Sequence, residues 1–182
     1  MKTLRFLPLR SSPRRRRQRG VAAVEFALVL LPMVLIAFGA AEYGRAIYQY
    51  NTLVKSVRTA VRMLSQVDPG QAGYRTPLTN GTTTQVQRAK CFAAYGNETC
   101  EGMALAPSLT DANVHVCDRN NADECPGTTT SAYGSVSTGE GTIDLVVVRI
   151  TGYAYPFIGL PLVTSSPTVT FTDIEAVMRQ KG

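Results

Sequence analysis

The longest apolar run in the chain is VAAVEFALVLLPMVLIAFGAA, Val21 to Ala41, and its single charge is Glu25. At ~1.5 Å rise per residue a helix over this run spans roughly 31 Å, the thickness of a bilayer's hydrocarbon core. Pro32 falls inside the run, where a membrane helix tolerates it. After Ala41 the pattern changes without stopping. Tyr43, Ile47, Tyr50, Val54, Val57, Val61 and Leu64 recur at alternating spacings of four and three, and Ala46, Leu53 and Ala60 widen the stripe. That is the period of an amphipathic helix. Arg45, Lys55, Arg58 and Arg62 fall mostly off the stripe. Asp68-Pro69-Gly70 is a turn signal. The spacing therefore predicts one helix over about 21–66, with a transmembrane segment over 21–41 and an amphipathic extension over 42–66.

The remainder reads as a small domain over 67–182. Residues 67–84 are rich in Gly, Thr and Pro and predict an irregular loop. Gln85 to Tyr95 predicts a short helix, with Val86, Ala89 and Phe92 at three-residue spacing. Asn113 to Cys117 alternates as a strand does, and 118–141 reads as a polar loop. Thr142 to Tyr155 is the strongest strand. Ile143, Leu145 and Val147 share one parity, and Val146, Val148 and Ile150 share the other, so both faces are apolar and the strand is central. A turn is expected around Gly159 and Pro161. Thr168 to Met178 closes the sheet, with Val169, Phe171 and Asp173 on one face. The fold class is α+β: a long N-terminal helix followed by a small antiparallel sheet packed on it.

Charge changes this picture at one end only. Residues 1–20 hold Lys2, Arg5, Arg10, Arg14, Arg15, Arg16, Arg17 and Arg19, and no acid. The other 11 of the 19 basic residues meet all 13 acids, so the rest of the chain is slightly acidic. That asymmetry argues against a nucleic-acid partner. It fits a topogenic flank in contact with the lipid bilayer, with residues 1–20 cytoplasmic and the domain outside.

Cys91, Cys100, Cys117 and Cys125 all lie beyond the apolar run. An even count on one side of an anchor points to disulfides in an oxidising compartment. Of three possible pairings, the short-range one, Cys91–Cys100 with Cys117–Cys125, is expected. A metal centre is not: no Cys-x-x-Cys pair is present, and His115 has no histidine partner. Asp111, Asp118, Asp123 and Glu124 lack EF-hand spacing and read as a solvated loop rather than a calcium site. No Ser or Cys has a recognisable base, so neither a catalytic residue nor a cofactor is expected. Tyr153, Tyr155 and Phe157 read as core.

Glu25 discriminates between two kinds of processing. A carboxylate near the start of an apolar segment costs several kcal/mol unless paired, and a secretory signal peptide gains nothing from it. A subunit cut between Gly20 and Val21 does gain, because its new N-terminal ammonium and a neighbour's Glu25 neutralise each other. Glu25 would then also stand in the first turn, where a negative charge suits the helix dipole.

The quoted residues resemble a known family. Arg19-Gly20, Val24-Glu25-Phe26-Ala27, Pro32, Gly44-Arg45-Ala46 and Thr59-Ala60-Val61-Arg62 follow, in order, the N-terminal signature of TadE-like proteins, minor pseudopilins of the tight-adherence (Tad, or Flp) type IV pilus system. Gly20 with Glu25 and Phe26 is also similar to the Flp-type prepilin processing pattern. The resemblance implies a basic prepilin-type leader over 1–20, removed between Gly20 and Val21 by a prepilin peptidase of which the chain is a substrate. It implies a structural, non-enzymatic role in pilus assembly at the bacterial inner membrane, with a periplasmic C-terminal domain. The implied partners are other pilins and pseudopilins and the Tad assembly machinery. The alternative is an uncleaved single-pass protein whose periplasmic domain is a binding module.

Overall fold

The computed structural model describes residues 18–78, 81, 83–125, 127–158 and 168–181. Most of the basic leader and the turn expected around Gly159 and Pro161 lie outside the described residues. The chain divides into two units, Met1–Ala41 and Glu42–Gly182.

In the first unit the described part is helix alone. Helix α1, Gln18–Ser65, begins here and contains Pro32. Val21, Val24, Phe26, Leu28, Leu31 and Ile36 are all exposed, and none of the most apolar stretch is buried within the chain. The segment is thus long and apolar enough to serve as a single-pass anchor.

The second unit is an α+β domain. It contains the rest of α1, then α2 (Gln85–Tyr95), β1 (Val114–Cys117), β2 (Val136–Ser137), β3 (Thr142–Ile150), β4 (Ala154–Pro156), β5 (Thr168–Thr170) and β6 (Ile174–Gln180). Single 3₁₀ turns occupy Asp111–Asn113 and Thr130–Ala132. Helix α2 starts where the Thr84 side chain accepts from Gln87 N–H and ends at Gly96, whose φ of 76° is left-handed.

Strand β3 is the centre of the sheet. It pairs antiparallel with β1, β2 and β6. Its alternation covers both faces. Val146, Val148 and Ile150 join Val114, Val116 and Ile174 against Leu53, Val57, Val61 and Leu64 of α1 and Val86, Ala89 and Ala93 of α2. Val147 turns the other way, onto Cys117, Ala122, Cys125 and Tyr133. Each such aliphatic side chain contributes roughly 1.5–3 kcal/mol on burial. Where the helices meet, Ser56 Oγ donates to Ala93 O at 2.9 Å.

Two expectations are corrected. Thr142 to Tyr155 is not one strand, because the chain breaks at Gly152, whose φ of +67° is left-handed. Thr168 to Met178 is likewise two strands, β5 and β6, separated at 171–173. Yet the register runs through both breaks unchanged. Ile150 stands opposite Ile174, and Ala154 opposite Thr170, while Phe171 N–H donates to Tyr153 O at 3.0 Å between them. The four strands form one interrupted antiparallel ribbon.

Candidate functional site

The residues singled out by the processing pattern lie in the apolar part of α1. The described part of α1 includes Gln18, so the Gly20–Val21 bond lies within helical backbone. A Cβ placed on Gly20 would meet nothing within 4 Å. Val21 and Glu25, four apart, share a helix face. Glu25 is exposed, as is Phe26. These side chains are presented outward, to whatever surrounds the helix.

The helix changes character at Glu42. The expected apolar stripe holds from Leu53 onward: Leu53, Val57, Ala60 and Val61 are fully buried. It fails between 43 and 50. Tyr43 and Ile47 are exposed, and Tyr50 lies edge-on to Phe171. The face turned to the domain here carries Glu42, Arg45, Ala46 and Gln49. The cause is the tip of the ribbon, which offers polar atoms. Tyr155 Oη donates to Glu42 Oε2 at 3.0 Å, and Ile158 N–H donates to Glu42 Oε1 at 3.2 Å. Arg45 donates to Pro156 O at 3.0 Å and lies 5.1 Å from the centre of the Tyr155 ring. Tyr153 Oη donates to Gln49 Oε1 at 3.0 Å. Burial raises the pKa of both tyrosines, and for Tyr155 the bond to Glu42 adds to it. Tyr153 and Tyr155 are core residues, as expected, but with hydroxyls that serve the helix. No short-range signal identified Glu42 or Gln49, and Arg45 stood out only within the Gly44-Arg45-Ala46 element and not for this contact, because their partners lie more than a hundred residues away.

The cysteines pair at short range. Cys91–Cys100 joins α2 to the loop after it, and Cys117–Cys125 closes the loop after β1, with Cα separations of 4.6 and 6.3 Å. Three of the four acids weighed for calcium, Asp111, Asp118 and Glu124, are dispersed among separate partners. Gln87 donates to Asp111 at 2.8 Å. Lys90 and the Val116 N–H donate to Glu124, each at 2.9 Å. Asp118 is not solvated, as the loop reading had it, but fully buried. It accepts from Tyr74 Oη at 3.1 Å and Arg75 at 2.8 Å. Gln180 in turn donates to Tyr74 Oη at 3.0 Å. Among the described residues no cluster of three or more His, Cys, Asp or Glu forms a metal-ligand set.

Residues 20–62 match the TadE-like protein family. The match begins at Gly20 and ends three residues before α1 does, so the TadE-like segment is helix throughout. It includes Gly20, Val21, Glu25 and Phe26 as well as Glu42, Arg45 and Gln49. Over those residues the chain is similar to TadE-like proteins. No curated protein and no solved structure matches the chain.

Proposed function

We propose that the protein is a minor pseudopilin of a Tad pilus, structural and without catalytic activity. Residues 1–20 act as a leader that a prepilin peptidase removes between Gly20 and Val21. The helix over 21–41 anchors the mature protein once through the bacterial inner membrane, the extension over 42–66 carries the domain, and 67–182 faces the periplasm. The Glu25 carboxylate neutralises the N-terminal ammonium of a neighbouring pilin or pseudopilin. In a low-dielectric bundle that pairing fixes one axial register, the best-attested use of a buried charge.

The observation that carries this reading is the placement of Gly20, Val21 and Glu25 in an exposed apolar helix whose residues 20–62 match the TadE-like family. Two disulfides in the domain agree with a periplasmic location. Mapping the N-terminus of the protein recovered from membranes tests the reading. A start at Val21 is expected. A start at Met1 would remove processing and the register role together and leave a membrane-anchored binding module. A start near Glu42 would remove the anchor as well. With processing established, Glu25→Ala should abolish pilus output while leaving the cut intact.

A further inference from the structure

We propose that Tyr43, Ile47, Tyr48 and Ile158 form a collar that sits in the lipid headgroup layer on the domain side of the bilayer. The collar rests on the anchor part of the reading above and is independent of pilus assembly.

All four side chains are exposed; Tyr43 and Tyr48 are 69% and 73% accessible, and Ile158 is 67%. They belong to one level of the domain, since the Ile158 N–H donates to Glu42, the residue before Tyr43. Tyr43 follows the apolar stretch directly, and a headgroup layer is roughly 5–7 Å thick on each side of the hydrocarbon core. Tyr43 and Tyr48 lie ~7.5 Å apart along the helix axis, which matches that layer. They are also ~140° apart around the helix. A partner helix would be met by a stripe of side chains along one face. A band of tyrosine and isoleucine that spans the depth of one headgroup layer on several faces fits a lipid interface, which takes an apolar ring and a polar hydroxyl together.

The charges at this level are arranged for the same surroundings. Glu42 and Arg45 turn to the domain, where Glu42 accepts from Tyr155 and Ile158, and Arg45 donates to Pro156 O. Their side chains are only 11% and 28% accessible. Exposed residues of α1 from Tyr43 to Asn51 include no charged side chain. A carboxylate and a guanidinium next to a bilayer are costly when unpartnered, and the ribbon tip removes that cost.

The chain has no tryptophan, so single substitutions give clean optical probes. Tyr43→Trp, Tyr48→Trp and, as a distant reference on the same helix, Arg62→Trp would be made in the full-length protein. Each would be reconstituted in phosphatidylcholine vesicles containing lipids brominated near the headgroup end of the acyl chain. Both collar probes should be strongly quenched and blue-shifted, and Arg62→Trp, ~28 Å further along, should be neither. Water-like emission from both collar probes in a protein that resists alkaline extraction would overturn the collar and leave the anchor standing. Quenching of only one of the two would also overturn it, in favour of a protein partner on the other face. Release by alkaline extraction would sink the anchor and the collar together.

Discussion

Tyr155 donates its hydroxyl to Glu42 at 3.0 Å across 113 residues of sequence, with its ring fully buried. This bond ties the tip of the ribbon to the first turn of the domain's share of α1. Hydrogen bonds to a charged group contribute about 1.5–3 kcal/mol. Tyr155→Phe keeps the ring's packing and should lower stability by about 2 kcal/mol. Thermal melts of the detergent-solubilised protein, run as a double-mutant cycle with Glu42→Gln, should show the two losses to be non-additive. Additive losses would mean that the pair is not coupled.

Asp118 is the buried node beneath β1. It takes hydrogen bonds from Tyr74, Arg75 and the N–H groups of Asn120 and Asn121. Asp118→Ala leaves the Arg75 charge without its counter-ion and should cost about 3–5 kcal/mol in urea unfolding. Tyr74→Phe, which leaves no charge unpaired, should cost less than half as much. A small effect of Asp118→Ala would show that Arg75 finds water instead.

Both disulfides close short loops, with separations of 9 and 8 residues. The chain-entropy estimate for loops of this length is about 2.5 kcal/mol each. Replacing Cys91 and Cys100 together by Ala, or Cys117 and Cys125 together, should lower stability by that order. Peptide mapping without reductant should recover the fragments that hold Cys91 and Cys100 as one species, and those of Cys117 and Cys125 as another. A cross-pair would contradict the geometry.

Stability should fall at both ends of the pH scale. The Ser135 N–H and then Arg119 hold the Asp144 carboxyl below its ordinary range. Burial alone would raise Glu124, but Lys90 and the Val116 N–H outweigh it, and its pKa is also lowered. A folded pKa below the unfolded value of about 4 gives stability that is present near neutrality and drains away as pH falls below about 5. Tyr74 is displaced upward, by burial first and then by Asp118, and Tyr153 and Tyr155 move the same way. Their unfolded counterparts ionise near pH ~10, so stability is full below that pH and declines above it. Circular-dichroism melts across pH should show a plateau between two descending limbs, and Asp144→Asn should flatten the acid limb alone.

The parts of the fold that were legible in the sequence are those set by local pattern. The helix through 21–65 follows from apolar length and then from periodicity. Gln85–Tyr95 is bracketed by its own caps, Thr84 and Gly96. The two parities of 142–150 announce a strand covered on both sides. What was hidden depends on distant partners. The stripe rule placed Tyr43 and Ile47 inward, because nothing near Glu42 shows that Tyr155 and Ile158 will satisfy it. Asp118 read as a loop acid because Tyr74, Arg75 and Gln180 are far from it in sequence. The breaks in the ribbon were missed because the register carries across them, so each side keeps strand-like alternation. Gly20 and Glu25 stood out by spacing, a signal that survives without any tertiary contact.

If the domain is exported as proposed, the contrast between near and distant pairings also orders events on the way. Each disulfide joins cysteines of one short segment, and loops of about 10 residues close in ~10–100 ns. Oxidation can therefore proceed as soon as that segment emerges. Strand β3 instead awaits Ile174–Gln180, and the Lys181 N–H reaches back to Ser65 O at 2.9 Å. A chain halted in translocation after Cys125 would already carry both native crosslinks, yet would have no sheet to hold against its helix.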